Sequence, residues 1–304
     1  MSQECTAFKS SRENQQNELP PRTARMEDSS ISEMMLDLLE SPDVTDGSEP
    51  VTHPATRRPS PDEYLLIFAA IGLAFTDRDG IIAREFIVVG ELMNRFWERR
   101  ENEETYAKQG RLPPGQSLTR RFPVLHYGPV PPFNPATWDF RIFGEVEQEK
   151  RWTWEEFNRL PRTRVKMDIH CVTRWSKFDT EWEGVSVKTL VEEGIIRLRP
   201  SAKFVLQHCE YGFTANLPLE VVLAPNFLLA THYEGKPLDP EHGYPLRAVV
   251  GYIPGTNYKT PYFWKGGKWL RALEFMAYDR PGFWEQAGYH NEGDIWKEQR
   301  FSER

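Results

Sequence analysis

The stretch MDIHCVTRWSKFD, residues 167–179, sets Cys171 beside His170 at the end of a run that reads as a β-strand. Two chemistries compete for that thiol at once. A buried free cysteine is a small, inert hydrophobe. The pair His-Cys also recurs at His208-Cys209, and two histidines with two cysteines make a zinc ligand set. Neighbouring residues on a strand point to opposite faces, so neither pair chelates one ion without a bulge, and no CxxC or HxxxH spacing accompanies them.

A third chemistry is a softer metal carried by a large anionic cofactor. A single thiolate suits molybdenum held by a pterin dithiolene, whose phosphate then needs cations and backbone donors. The segments PEHGYPLR (240–247) and WKGGKWLR (264–271) offer both: glycines that let backbone approach a ligand, and Arg247, Lys265 and Lys268 to meet a phosphate. Taken singly, such a Lys/Gly turn is an ordinary solvated loop.

The elements that must position these groups are short. Strand-type runs appear at 138–146, 164–172, 203–209, 246–252 and 270–276, with helical pieces at 153–161 and 186–194, the latter stopped by Gly194. Strands do not alternate with long helices, so a doubly wound parallel sheet is not expected. The fold class is α+β, mainly β, with mixed sheets and short helices. In the 164–172 strand, Val165, Met167, Ile169 and Cys171 share one face and Arg164, Lys166, Asp168 and His170 the other, which puts Cys171 on the buried side.

Composition divides the chain. All ten tryptophans lie between Trp97 and Trp296, whereas residues 1–60 hold one aromatic, Phe8, and six prolines. That segment cannot bury enough apolar surface to offset backbone ordering, and reads as a disordered acidic tail. It carries eleven acidic and six basic side chains, −5 of the net −7, so the remainder is near neutral and no basic field points to nucleic acid. Within the tail, residues 30–40 have helical spacing and a Ser30/Glu33 capping box. Residues 61–110 read as a partly helical extension, and 111–304 as the main domain. The longest apolar run, 64–75, is twelve residues, short of the ~20 that span a membrane. The turn at 77–80 puts Phe75 and Phe86 where calcium ligands belong. Three scattered cysteines indicate a reducing compartment, and the chain is expected to be cytoplasmic.

Taken in order, FPVLHYGPVP (122–131), ATWDFRIFGEV (136–146), DIHCVTRWS (168–176) with WEGV (182–185), HCEYGFTANLPLE (208–220), LLATHYEGKPLDPEHGYPLR (228–247), KWLRALEF (268–275) and DRPGFWEQAGYH (279–290) resemble the sulfite oxidase family of molybdopterin enzymes, in its cytochrome-free branch. The resemblance implies a sulfite oxidase-type molybdopterin-binding fold and a molybdenum-molybdopterin cofactor. It implies Cys171 as the metal ligand, His126 and Tyr127 as early pterin contacts, His242 and Arg247 as cofactor contacts, Lys265 and Lys268 at the phosphate, and Asn216 lining the pocket. Arg174 and Trp175 then face the substrate side. The implied function is two-electron oxo transfer on a small S-oxo or N-oxo substrate, with an external electron partner because His53 stands alone before residue 110. The alternative is a non-catalytic interaction module that keeps the fold. Three departures stand out: Val172-Thr173-Arg174-Trp175 replaces the small residues and Asn-Arg pair of sulfite oxidases proper, Phe213 stands near the expected tyrosine, and residues 251–264 form a longer connection.

Overall fold

All five runs read as strands pair into sheets in the computed structural model, which describes residues 81–302 apart from Tyr127, with side chains from Asn94 onward except Phe96. The tail at 1–60, the 30–40 helix, the apolar run at 64–75, the turn at 77–80 and Tyr127 therefore lie outside the described residues. The chain enters through a helix, α1 (Ile81–Lys108). Among the described residues no helix is long and apolar enough to cross a membrane.

One sheet is built around a long strand, β5 (Trp175–Val185), which pairs in parallel with β1 (Ser117–Leu118) and antiparallel with β4 (Thr163–His170) and β8 (Phe227–Tyr233). Strands β9 (Lys236–Pro237) and β10 (Arg247–Val250) complete it through β8. The other sheet runs β3 (Lys150–Thr153), β2 (Asp139–Gly144), β11 (Leu270–Met276), β6 (Phe204–Cys209), β7 (Thr214–Pro218), with β2 and β11 parallel. These are mixed sheets joined by short helices, the α+β, mainly β class expected.

The helices follow from local chemistry. In α2 (Trp154–Asn158) the Thr153 side chain accepts from the Glu156 amide while the Glu156 carboxylate accepts from the Thr153 amide, a reciprocal cap. Pro161 follows shortly after, where a helix cannot continue. Ser186 caps α3 (Val187–Glu192), and Gly194 takes the left-handed conformation just beyond it, at φ +70°.

Two apolar cores result. Phe140, Ile142, Val205, Leu217 and Leu273 of the second sheet meet Val185, Phe227, Leu229, Ala248 and Val250 of the first. The opposite face of the first sheet, with Leu228, Ala230 and Val249, is covered by Tyr262, Phe263 and Ile295. Both faces of β8 and β10 are thus dry, which is why they read as continuous apolar runs rather than alternating ones. The connection at 251–264 supplies part of that cover.

The alternation read into β4 holds only in its first half. Asp168 and His170, assigned to the opposite, polar face, are fully buried. The chain after α1 lies across that face: Arg111 donates to both carboxylate oxygens of Asp168, at 2.7 and 2.8 Å, and stacks 4.3 Å from the Phe178 ring. A buried carboxylate is tolerated because a bidentate guanidinium meets it.

Candidate active site

The ends of strands from both sheets converge on a cavity of about 340 Å³. Cys171, immediately past β4, reaches it from the first sheet together with Arg247 at the start of β10; Cys209, closing β6, and Ala215 in β7 reach it from the second. The turn after β4 is tight: the Cys171 amide donates to the Trp175 carbonyl at 2.9 Å and the Arg174 amide to the Cys171 carbonyl at 3.1 Å. Cys171 is 7% exposed, its Sγ lies 3.1 Å from Thr173 Oγ1, and burial pushes its thiol up.

A cluster of basic side chains shares the cavity without acidic partners among the described residues. Arg247 is 1% exposed, donates to the His242 carbonyl at 2.9 Å and stacks 4.3 Å from the Phe263 ring; no described carboxylate pairs with it. Burial drives its guanidinium down to about 9. Lys268 donates only to the carbonyls of Leu125 and Glu241, and burial beside Arg247 brings it to about 7. His242 stacks on Phe122 with centroids 3.8 Å apart, and its buried Nδ1 has no partner; burial and Arg247 lower it to about 4. His126 lines the same cavity, its ring edge-on to Trp269. A buried cation without counter-charge is costly, so Arg247 and its basic neighbours suit an anion that the described protein atoms do not supply.

The glycine pair of the 264–271 segment is required first by packing. A Cβ on Gly266 would lie 2.5 Å from the Ala248 carbonyl oxygen and one on Gly267 2.5 Å from Cys209 Sγ. Two residues expected at the cofactor are engaged elsewhere. Lys265 is fully buried and donates to Asn216 Oδ1 at 2.8 Å, to the Asn291 carbonyl at 2.8 Å and to Glu285, which uses its three protons. Asn216 in turn donates to Asp279 and Asn291, at 2.7 and 2.9 Å. Together they fasten β7 and the 263–268 turn to the segment 279–291 rather than line the cavity. Arg174, expected at the substrate, has a half-exposed side chain 3.8 Å from Glu298 and is not brought to the cavity.

The rival zinc arrangement does not assemble. His170 Nδ1 bonds Ser176 Oγ at 2.8 Å, and burial holds that ring neutral, at about 3; His208 bonds Glu274 instead, at 2.8 Å. Among the described residues no three histidine, cysteine or acidic groups cluster as metal ligands.

One residue was missed from sequence. Tyr289 lines the cavity, and burial followed by the nearness of Cys171 raises its phenol. Phe213 also lines the cavity but has no hydroxyl, while Tyr211 is 55% exposed. The motif 279–290 contains Tyr289, yet nothing local distinguishes it from a packing tyrosine; only the fold brings it to the cavity that Cys171 lines. It belongs to an uncharged aromatic wall in which Trp284 and Trp264 lie 5.2 and 5.3 Å from its ring and Phe213 lies 6.4 Å from Trp284. The cavity therefore offers a soft sulfur donor, an uncompensated cationic side and a neutral aromatic side. An anionic ligand carrying a thiophilic metal satisfies the first two at once.

Comparisons with known proteins agree with that chemistry. The family model described as oxidoreductase molybdopterin binding domain matches residues 127–284. The uncharacterized oxidoreductase YuiH of Bacillus subtilis (strain 168) is 41% identical over 208 residues, 68% of this chain and 98% of that protein. The putative protein-methionine-sulfoxide reductase subunit YedZ1 of Azospira oryzae is 28% identical, over 58% of this chain and 64% of that one. The protein-methionine-sulfoxide reductase catalytic subunit MsrP of Gluconobacter oxydans is 25% identical, over 51% and 52% respectively. The chain thus spans nearly all of the first relative and between half and two thirds of the other two.

Proposed function

The chain belongs to the oxidoreductase molybdopterin-binding family, whose members are molybdenum-dependent oxidoreductases, and from that premise we propose that it reduces a small neutral S-oxide or N-oxide with electrons from an external partner. The observation that carries this reading is the pairing, in one cavity, of the Cys171 thiol with the buried, uncompensated charge of Arg247. Cys171 ligates the metal, Arg247, Lys268 and His242 meet the cofactor's negative charge, and His126 contacts the pterin. When bound there, the cofactor supplies the gain or loss of one oxo group with two electrons.

The remaining residues select and orient substrate. Two electrons and two protons convert a sulfoxide to a thioether and water, so the departing oxygen needs a donor. The Tyr289 hydroxyl, in the cavity that Cys171 lines, serves as that donor, and Phe213, Trp284 and Trp264 hold the apolar substituents by sulfur–aromatic and van der Waals contact. The neutrality of this wall, with Arg174 turned to Glu298, argues against sulfite or nitrate as the preferred substrate. The relatives named as methionine-sulfoxide reductases support the same class.

Elemental analysis and oxidised-pterin fluorescence on protein from molybdate-supplied cells test the ligand assignment. Wild type is expected to carry near-stoichiometric molybdenum and Cys171→Ser far less; equal molybdenum and equal turnover in the variant would sink it. With a reduced viologen dye as donor, dimethyl sulfoxide should turn over faster than nitrate. The reverse order would refute the neutral-substrate reading.

A further inference from the structure

The loop that presents Cys171 is held from behind by two buried side chains that the reaction does not otherwise use. Gln116, 7% exposed, donates through Nε2 to the Cys171 carbonyl at 3.0 Å and accepts from Ser176 Oγ at 3.2 Å. Arg300, 5% exposed, donates to the carbonyl of Val172 at 2.6 Å and to those of Pro114 and Gly115 at 3.3 and 3.1 Å, with its guanidinium 4.8 Å from the Tyr262 ring. Their donors thus fix two successive carbonyls, that of Cys171 and that of the next residue.

Arg300 is also one residue from a bridge to the opposite wall. Phe301 pairs with Tyr289 as an isolated antiparallel bridge, their rings 5.2 Å apart. The Ser302 amide donates to the Gly288 carbonyl at 2.9 Å, Ser302 Oγ to the Tyr289 carbonyl at 3.0 Å, and the His290 amide to the Arg300 carbonyl at 3.2 Å. We infer that residues 288–302 form a strap that sets the Cys171 loop and Tyr289 relative to each other, with Arg300 and Gln116 as positioning residues for the sulfur ligand. This rests on the reading of Cys171 as ligand. Its physical basis is that groups behind a metal ligand fix its direction, and losing one typically costs about tenfold to a hundredfold in metal affinity or activity.

The strap is tested on loaded full-length protein by electron paramagnetic resonance of the molybdenum centre, molybdenum content, and kcat and KM for dimethyl sulfoxide. Arg300→Met and Gln116→Met are expected to shift the resonance spectrum and lower kcat about tenfold to a hundredfold with KM little changed. Arg300→Lys, which keeps a cation able to reach one carbonyl, should recover part of both. A merely structural role would lower the melting temperature without moving the spectrum. Wild-type spectra and kcat in the two loaded methionine variants would overturn the inference; if Arg300→Met does not accumulate as folded protein, Gln116→Met decides by the same readout. A Cys171→Ser protein with wild-type molybdenum and spectrum would instead remove the ligand assignment, and the positioning role with it.

Discussion

Arg247 holds a charge where almost no solvent reaches it and no described carboxylate answers it. Such a residue burdens the empty protein and becomes favourable only when an anion arrives. Arg247→Met is therefore expected to leave the cofactor-free protein as stable as wild type or more so in urea titration, while abolishing retention of molybdopterin through gel filtration. A loss of stability in the cofactor-free variant would mean that the guanidinium is structural. Tyr289 carries the complementary expectation. Removing a single donor aimed at the reacting oxygen costs roughly a hundredfold in kcat, so Tyr289→Phe should lose about that much with its molybdenum content intact, measured by dye-coupled turnover.

At the level of elements, the walls of the cavity are joined by a buried ion pair. Burial lowers Lys265 and raises Glu285, each effect opposed by the partner's charge, and both side chains are dry. Removing one member strands the other: Lys265→Met should cost about 3–5 kcal/mol in unfolding free energy, and adding Glu285→Met should restore much of it. At the irregularity where β5 pairs with β8, a Cβ on Gly184 would lie 2.0 Å from the Leu229 carbonyl oxygen. Backbone cannot yield there as a flexible side chain would. Gly184→Ala is expected to destabilise by about 1–3 kcal/mol or more, read from chemical denaturation.

Over the whole molecule, acid should act through the carboxylates that tie strands together. Burial works against ionisation of Asp139, but Arg271 and Arg151 outweigh it and hold its carboxyl below the ordinary range; Asp179 and Glu183 are lowered against burial in the same way by Arg111 and Lys166, and by Arg164 and Arg162. A group whose folded value is depressed contributes stability above its unfolded value, about 4, and loses it as pH falls through the folded one. Unfolding free energy of the cofactor-free protein should accordingly fall as pH drops below about 6.5, because His170 and His242 stay neutral in the folded protein, and fall further below about pH 4 through these carboxylates, with Asp139→Asn flattening part of the lower decline. Loaded protein should also melt above cofactor-free protein, because a ligand bound only by the folded state stabilises it and this cavity draws residues from both sheets.

The sequence by itself determined the mainly β class, the five strands with clear apolar or β-branched runs, and both short helices, because caps, prolines and side-chain periodicity act within a few residues. Residue type and order drew attention to Cys171, Arg247, Lys265 and Lys268, and His242 entered only through the family resemblance. β5 escaped notice because its polar, turn-like first half, WSKFD, becomes a strand only through pairing with β1 and β4. The polar face read into β4 failed because Arg111, 57 residues away, pairs with Asp168 and covers it. The direction of a long side chain is likewise a tertiary decision: Lys265 and Lys268 stand three residues apart in one turn, yet one is consumed by a buried network and the other faces the cavity. Tyr289 came to the same cavity as Cys171 by the same route, since closing a chain on itself brings together residues whose separation carries no local signature.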